Sequence, residues 1–117
     1  MEEFMDCIFC KITNGEIPSK KVYEDDKVYA FHDISPIAPI HVLVIPKMHI
    51  ESANAIDETN SEYVKCIFEA IPNIVESLGI KKDGYRLITN IGENGGQTVK
   101  HLHFHIIGGT MLGEKLI

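Results

Sequence analysis

Three histidines at alternate positions, His101, His103 and His105 in the run HLHFHII, constrain this chain more than any other feature. In a strand, successive side chains point to opposite faces. All three imidazoles therefore share one face, and Leu102, Phe104 and Ile106 share the other. One face is set up for chemistry and the other for a core. The residue types leave several uses for the first face: nucleophilic chemistry at a neutral imidazole, a three-histidine catalytic zinc site, or solvated histidines on an exposed sheet. With a reference pKa of about 6.5, most of an ordinary imidazole is unprotonated near neutral pH and competent as a nucleophile.

The approach to this strand is Gly95-Gly96-Gln97-Thr98. Glycines let backbone N–H groups come close to an anion, and an amide and a hydroxyl add donors. A phosphate cradle without any lysine follows. It suits the charge of the chain: 11 basic against 17 acidic residues give a formal net charge of −6. Such a protein as a whole repels nucleic acid and anionic membrane surfaces, so an anionic ligand must be held by local donors. No apolar run reaches membrane-span length, and the start MEEFMD is acidic where a secretory signal is basic, so a cytoplasmic location is expected.

The 117 residues fit a single domain, 1–117, without repeats or long linkers. The pattern predicts a short helix at 7–13, a hairpin of strands 21–24 and 27–32 turning at Asp25-Asp26, and a strand 41–46 stopped by Pro46. A long helix follows over 59–79. Thr59 and Glu62 have capping-box spacing there, Val64, Ile67, Phe68, Ile71, Ile74, Val75 and Leu78 form its stripe, and Gly79 ends it. Pro72 lies inside this helix and should kink it. Strands at 85–91 and 101–107 complete an α+β arrangement, an antiparallel sheet with its helices on one side.

Three cysteines, two of them in the pair Cys7-x-x-Cys10, do not make a disulfide framework. The pair can bind metal or remain as free thiols, and a closed zinc site needs two further ligands. Cys66 falls on the helical stripe and reads as core.

GENGGQTVKHLHFHIIGG resembles the signature of the histidine triad family, His-x-His-x-His followed by two apolar residues. FHDISPIAPIHVLVIPKMHI at 31–50 is similar to the first-half block of its Hint branch, and IFCKITNGEIPSKKVYEDD to that branch's N-terminal segment. The resemblance implies a five-stranded antiparallel sheet with one long and one short helix, dimerising into a ten-stranded sheet. It implies hydrolysis of purine nucleoside phosphoramidates through a nucleotidyl-histidine intermediate, with no catalytic metal. A dinucleoside polyphosphate hydrolase, or a nucleotide-binding regulatory or scaffold protein, is the alternative.

Carried onto this chain, the resemblance makes His103 the nucleophile and His101 its support. His41, Gln97, Thr98 and His105 match phosphate contacts, with Gly96 in the cradle and Asn90 near the ribose and scissile phosphate. Asp33 matches the carboxylate that accepts from both ribose hydroxyls, a role an ionised carboxylate suits. Phe31, Ile34, Ile8, Phe9 and Ile12 would line the base slot, and His32 is structural. Some members with the cysteine pair bind a structural zinc through it, the histidine after the PK segment and the first triad histidine, here Cys7, Cys10, His49 and His101. The tail TMLGEKLI departs from that of the best-known Hint members.

Overall fold

The computed structural model describes residues 6–115. Five strands are present: β1 (Lys21–Glu24), β2 (Val28–His32), β3 (Ile40–Pro46), β4 (Tyr85–Ile88) and β5 (Phe104–Gly108). They form one antiparallel sheet in the order β1-β2-β3-β5-β4. The β1–β2 turn is closed by Asp25, whose Oδ1 accepts the N–H groups of Lys27 and Val28, both at 2.8 Å. β3 is central and buried along nearly its whole length.

Alternation in the central strands sorts two cores. Val28, Ala30, Val42, Val44, Leu102, Phe104 and Ile106 join Ile67, Ala70, Ile71, Ile74 and Val75 of the long helix α2 (Ser61–Ser77). Tyr29, Phe31, Leu43 and Ile45 face the other way and pack against Cys7, Phe9 and Ile12, the last two on the short helix α1 (Ile8–Thr13). The helices thus cover opposite faces of the sheet, where the sequence reading had put them on one side. Because α1 precedes β1, the order of elements did not say which face it would take. Either face offered apolar residues.

Helix α2 is shorter than the predicted 59–79, and Thr59 and Glu62 form no capping box. The N-cap residue is Asn60, without a side-chain cap bond, and the Thr59 hydroxyl donates to Asp57 instead. At the other end Gly79, at φ +77°, lets the Ile80 N–H reach the Val75 carbonyl at 3.1 Å, the closing bond of a Schellman motif. The helix runs on through Pro72, which lies on its exposed side where the missing bond meets water.

Strand β4 stops at Ile88, and residues 89–91 turn away into the glycine loop. The β5 ladder begins at Phe104 and not at 101, because the Leu102 N–H bonds the Ile50 carbonyl in place of a strand neighbour. The alternation of faces nevertheless extends back through His101: Leu102 is in the α2 core, while His101 and His103 lie on the α1 side.

Candidate active site

The site lies on the sheet face that α1 covers. Register brings its residues together. His105 pairs with Leu43, and His41 sits two residues back along β3, a diagonal neighbour on the same face. One bond beyond the end of β2, the Asp33 N–H donates to the His41 carbonyl at 2.9 Å. The ladder therefore delivers Asp33 beside His41, with Oδ2 3.5 Å from His41 Nε2. Asp33 Oδ1 accepts from the Ser35 N–H at 2.7 Å and holds the start of the following loop.

His103 is buried, and its Nδ1 lies 2.7 Å from the His101 carbonyl. A carbonyl only accepts, so Nδ1 carries the proton and Nε2 keeps its lone pair. Thr89 holds the His103 carbonyl through its hydroxyl at 2.7 Å. The Phe9 ring stands edge-on to His103 at 5.1 Å between centroids, and His105 stands at the same separation. Burial lowers the pKa of His103 against a partly compensating bond to the His101 carbonyl. Burial, with His103 and His41 alongside, pushes His105 down to about 4. The arrangement is a buried imidazole with a lone pair on Nε2, and burial favours its neutral form.

His101 is fully buried and joins this site to another. Its Nε2–H donates to the Pro46 carbonyl at 2.9 Å, which leaves the Nδ1 lone pair facing Cys7 Sγ at 3.3 Å and Cys10 Sγ at 3.6 Å. Cys10 Sγ is also 3.3 Å from His49 Nδ1. The donor atoms of Cys7, Cys10, His49 and His101 all lie within 4.8 Å of one another. Tetrahedral zinc, with bonds of about 2.3 Å to sulfur and 2.0 Å to nitrogen, needs ligands about 3.5 Å apart, so both donor set and spacing fit. Burial and the neighbouring Cys7 thiol raise Cys10 to about 12; a cation among these groups would reverse that direction.

The glycine loop is built from within. Asn90 Nδ2 donates to the Gly95 carbonyl at 2.8 Å, and Gln97 Oε1 accepts the Gly92 N–H at 3.0 Å. Gln97 Nε2 donates to the Glu51 and Val99 carbonyls at 2.7 and 3.0 Å. Gly96 adopts φ +82°, and a Cβ on Gly95 would collide with the Ile91 carbonyl oxygen, so each glycine is required for its own reason. Thr98 is exposed and borders a cavity shared with Ile8 and His49.

The five residues assigned to a base slot are distributed. Phe9, Ile12 and Phe31 are buried in one cluster. Ile8 is half exposed, while Ile34 is 97% exposed and borders a different cavity, with Asp33 and His41. Sequence reasoning missed Thr89, the Pro46 carbonyl and the Ile37 N–H, which donates to His41 Nδ1 at 3.2 Å. Only Thr89 acts through a side chain, and no spacing rule links it to a carbonyl 14 positions on.

A HIT domain profile matches residues 14–112. The chain is 46% identical over 109 residues to the purine nucleoside phosphoramidase of Escherichia coli (strain K12), covering 93% of this chain and 92% of that one. Its fold superposes on a HIT family hydrolase from Clostridium thermocellum with a TM-score of 0.93 and 49% identity, covering 96% and 97% of the two chains. A histidine triad nucleotide-binding protein from Candida albicans matches at TM-score 0.80 and 35% identity, over 94% and 85%.

Proposed function

This chain belongs to the histidine triad (HIT) family, and from that premise we propose that it hydrolyses purine nucleoside phosphoramidates with His103 as nucleophile. The observation that carries the reading is the 2.7 Å bond from His103 Nδ1–H to the His101 carbonyl, which holds the Nε2 lone pair in a buried site. His103 Nε2 bonds to phosphorus as the P–N bond breaks, and the leaving nitrogen takes up a proton from solvent and departs as the neutral amine. Water then adds to the same phosphorus, displaces His103 and releases the nucleoside monophosphate.

His105 and His41 stand where charge develops on the phosphoryl oxygens, and Thr98 adds a hydroxyl at the loop edge. Gln97 and Asn90 hold the loop around Gly96, and Asp33 accepts from the ribose hydroxyls. Phe9, Ile12, Phe31, Ile8 and Ile34 supply the apolar surroundings of the base. The relative named purine nucleoside phosphoramidase supports this substrate class.

We assign Cys7, Cys10, His49 and His101 to a structural zinc. When bound, it cross-links the start of α1, the end of β3 and the approach to β5. No step of the reaction passes through it. A homodimer joined into a ten-stranded sheet completes the proposal, supported by the edge position of β4, the exposure of Tyr85 on it and that of Phe68 on α2. Light scattering on the purified protein tests it.

The test of function is turnover of adenosine and guanosine phosphoramidates beside dinucleoside polyphosphates, with rapid acid quench and mass spectrometry of the intact chain. The expected result is preference for the phosphoramidates and a nucleotide adduct on His103. Preference for the dinucleotides would favour the sister hydrolase activity, and no turnover of either would favour a nucleotide-binding regulator.

A further inference from the structure

Cys7 and Cys10 are placed for a second kind of bond besides metal ligation. Cys7 is the N-cap of α1: its carbonyl accepts the Lys11 N–H at 3.1 Å, and its Sγ accepts the Cys10 N–H at 3.4 Å. Cys10 is the third residue of the helix, and in a capped first turn the side chains of these two positions reach toward each other. Helix geometry puts their Cα atoms about 5 Å apart, inside the range of about 4.4–6.8 Å that a disulfide spans. Both thiols are free, and their sulfurs lie within 4.8 Å of each other. The two uses exclude one another, because a sulfur bonded to sulfur is no longer a thiolate ligand. Solvent comes close to the pair: Cys10 is half-buried, and Cys7 and His49 line a surface cavity of about 450 Å³ with Asp6, Ile8, Glu51 and Thr98.

On the zinc assignment above, and independently of His103, we propose that Cys7 and Cys10 are an oxidative modification site, at which a hydroperoxide closes a disulfide and so ejects the metal. A bound cation keeps both sulfurs as thiolates, the form that attacks peroxide. One sulfur bonds to a peroxide oxygen as the O–O bond breaks and hydroxide leaves. The second thiolate then attacks that sulfur, closes the S–S bond and displaces the oxygen as a second hydroxide. Sulfur is oxidised, the peroxide is reduced, and solvent protons take both hydroxides to water. His49 and His101 alone are short of the four ligands a closed zinc site needs. Oxidation therefore exchanges a tie between α1, the end of β3 and the approach to β5 for a link inside a single turn of α1, which holds nothing else in place. Cys66 lies on α2, outside the cluster, and serves as the internal control.

The experiment treats the full chain, loaded with zinc, with hydrogen peroxide at an exposure that oxidises glutathione completely, in the wild type and in Cys66→Ser. Released zinc is read with a colorimetric chelator, and the cysteines by intact mass and a non-reducing peptide map. The expected result in both proteins is loss of the bound zinc in step with a loss of two hydrogen masses from the pair and a Cys7–Cys10 link. A dithiol followed by zinc should restore the starting state, and the oxidised protein should melt with the chelated one. Zinc retained with both thiols intact overturns the proposal. So does zinc lost with a sulfinic acid on one cysteine and no link, or oxidation confined to Cys66. A chain that takes up no zinc overturns the zinc assignment and this inference together, whereas a loaded chain that keeps its zinc overturns this inference alone. None of these readouts uses a nucleotide, so the phosphoramidase reading stands or falls separately.

Discussion

Removing metal from the Cys7, Cys10, His49 and His101 cluster should loosen the N-terminal segment without unfolding the domain. Two features set the magnitude. The four donor atoms are already within 4.8 Å of one another, so little ordering opposes binding. Phe9 and Ile12 are buried against Tyr29, Phe31, Leu43 and Ile45, and at about 1.5–3 kcal/mol for each large apolar side chain they keep α1 docked without metal. Linkage then gives the difference. A metal at 100 to 1,000 times its Kd adds about 2.7 to 4.1 kcal/mol. For a domain of this length, with about 4 °C per kcal/mol, that is a fall in Tm of about 10 to 16 °C. The assay is calorimetry before and after chelation, with Cys10→Ser and Cys66→Ser alongside. Cys10→Ser should reproduce the chelated Tm, and Cys66→Ser, half-buried on α2 and outside the cluster, should not. Less than about a tenth of an equivalent of zinc in protein purified without chelator, with wild type and Cys10→Ser melting within about 2 °C of each other, would refute the reasoning.

His103→Ala should lower turnover by about a thousandfold or more while nucleotide binding persists, read by calorimetric titration beside the rate assay; near-normal turnover would remove His103 from its role. Asp33→Asn keeps an acceptor for the Ser35 N–H but loses the charge, and should weaken nucleoside monophosphate binding about tenfold or more, as charge-assisted bonds of about 1.5–3 kcal/mol are lost. A 2′,3′-dideoxy ligand should not distinguish wild type from this variant. Burial lowers the pKa of His103 and puts that of His105 at about 4, so the neutral forms persist as pH falls below the ordinary 6.5. The acid limb of kcat/KM should therefore be centred below about 6.5, with a plateau above it; a limb centred at or above 7 would contradict the buried, neutral nucleophile.

The histidine face was legible because alternation depends on an extended backbone and not on the ladder: His101 and His103 keep their side even though β5 is paired only from Phe104. Cys7, Cys10, His49 and His101 could be grouped through the family resemblance, whereas their spacing alone left the two histidines open. Thr59 misled because a capping-box spacing carries no information about Asp57, which captures the hydroxyl first. Gln97 reads from the resemblance as a phosphate contact, yet each of its polar atoms is bonded to backbone, Glu51 among them, 46 residues away. Backbone partners such as the Ile37 N–H and the Pro46 carbonyl have no residue-type signature, so contacts of this kind stay invisible until the chain is folded.

The strand order has a consequence for how the protein is made. Among the described residues β5 is the last strand, yet it lies between β3 and β4, and β4 pairs with no other strand. A nascent chain that has exposed everything through β4 therefore holds an unfinished sheet with a gap between β3 and β4, and with Val42, Val44 and the apolar stripe of α2 partly uncovered. Two of the triad histidines arrive just before the piece that fills this gap, and the third arrives on it. If His103 acts as proposed, activity cannot precede closure of the sheet, because the segment that carries the triad is also the segment that completes the fold.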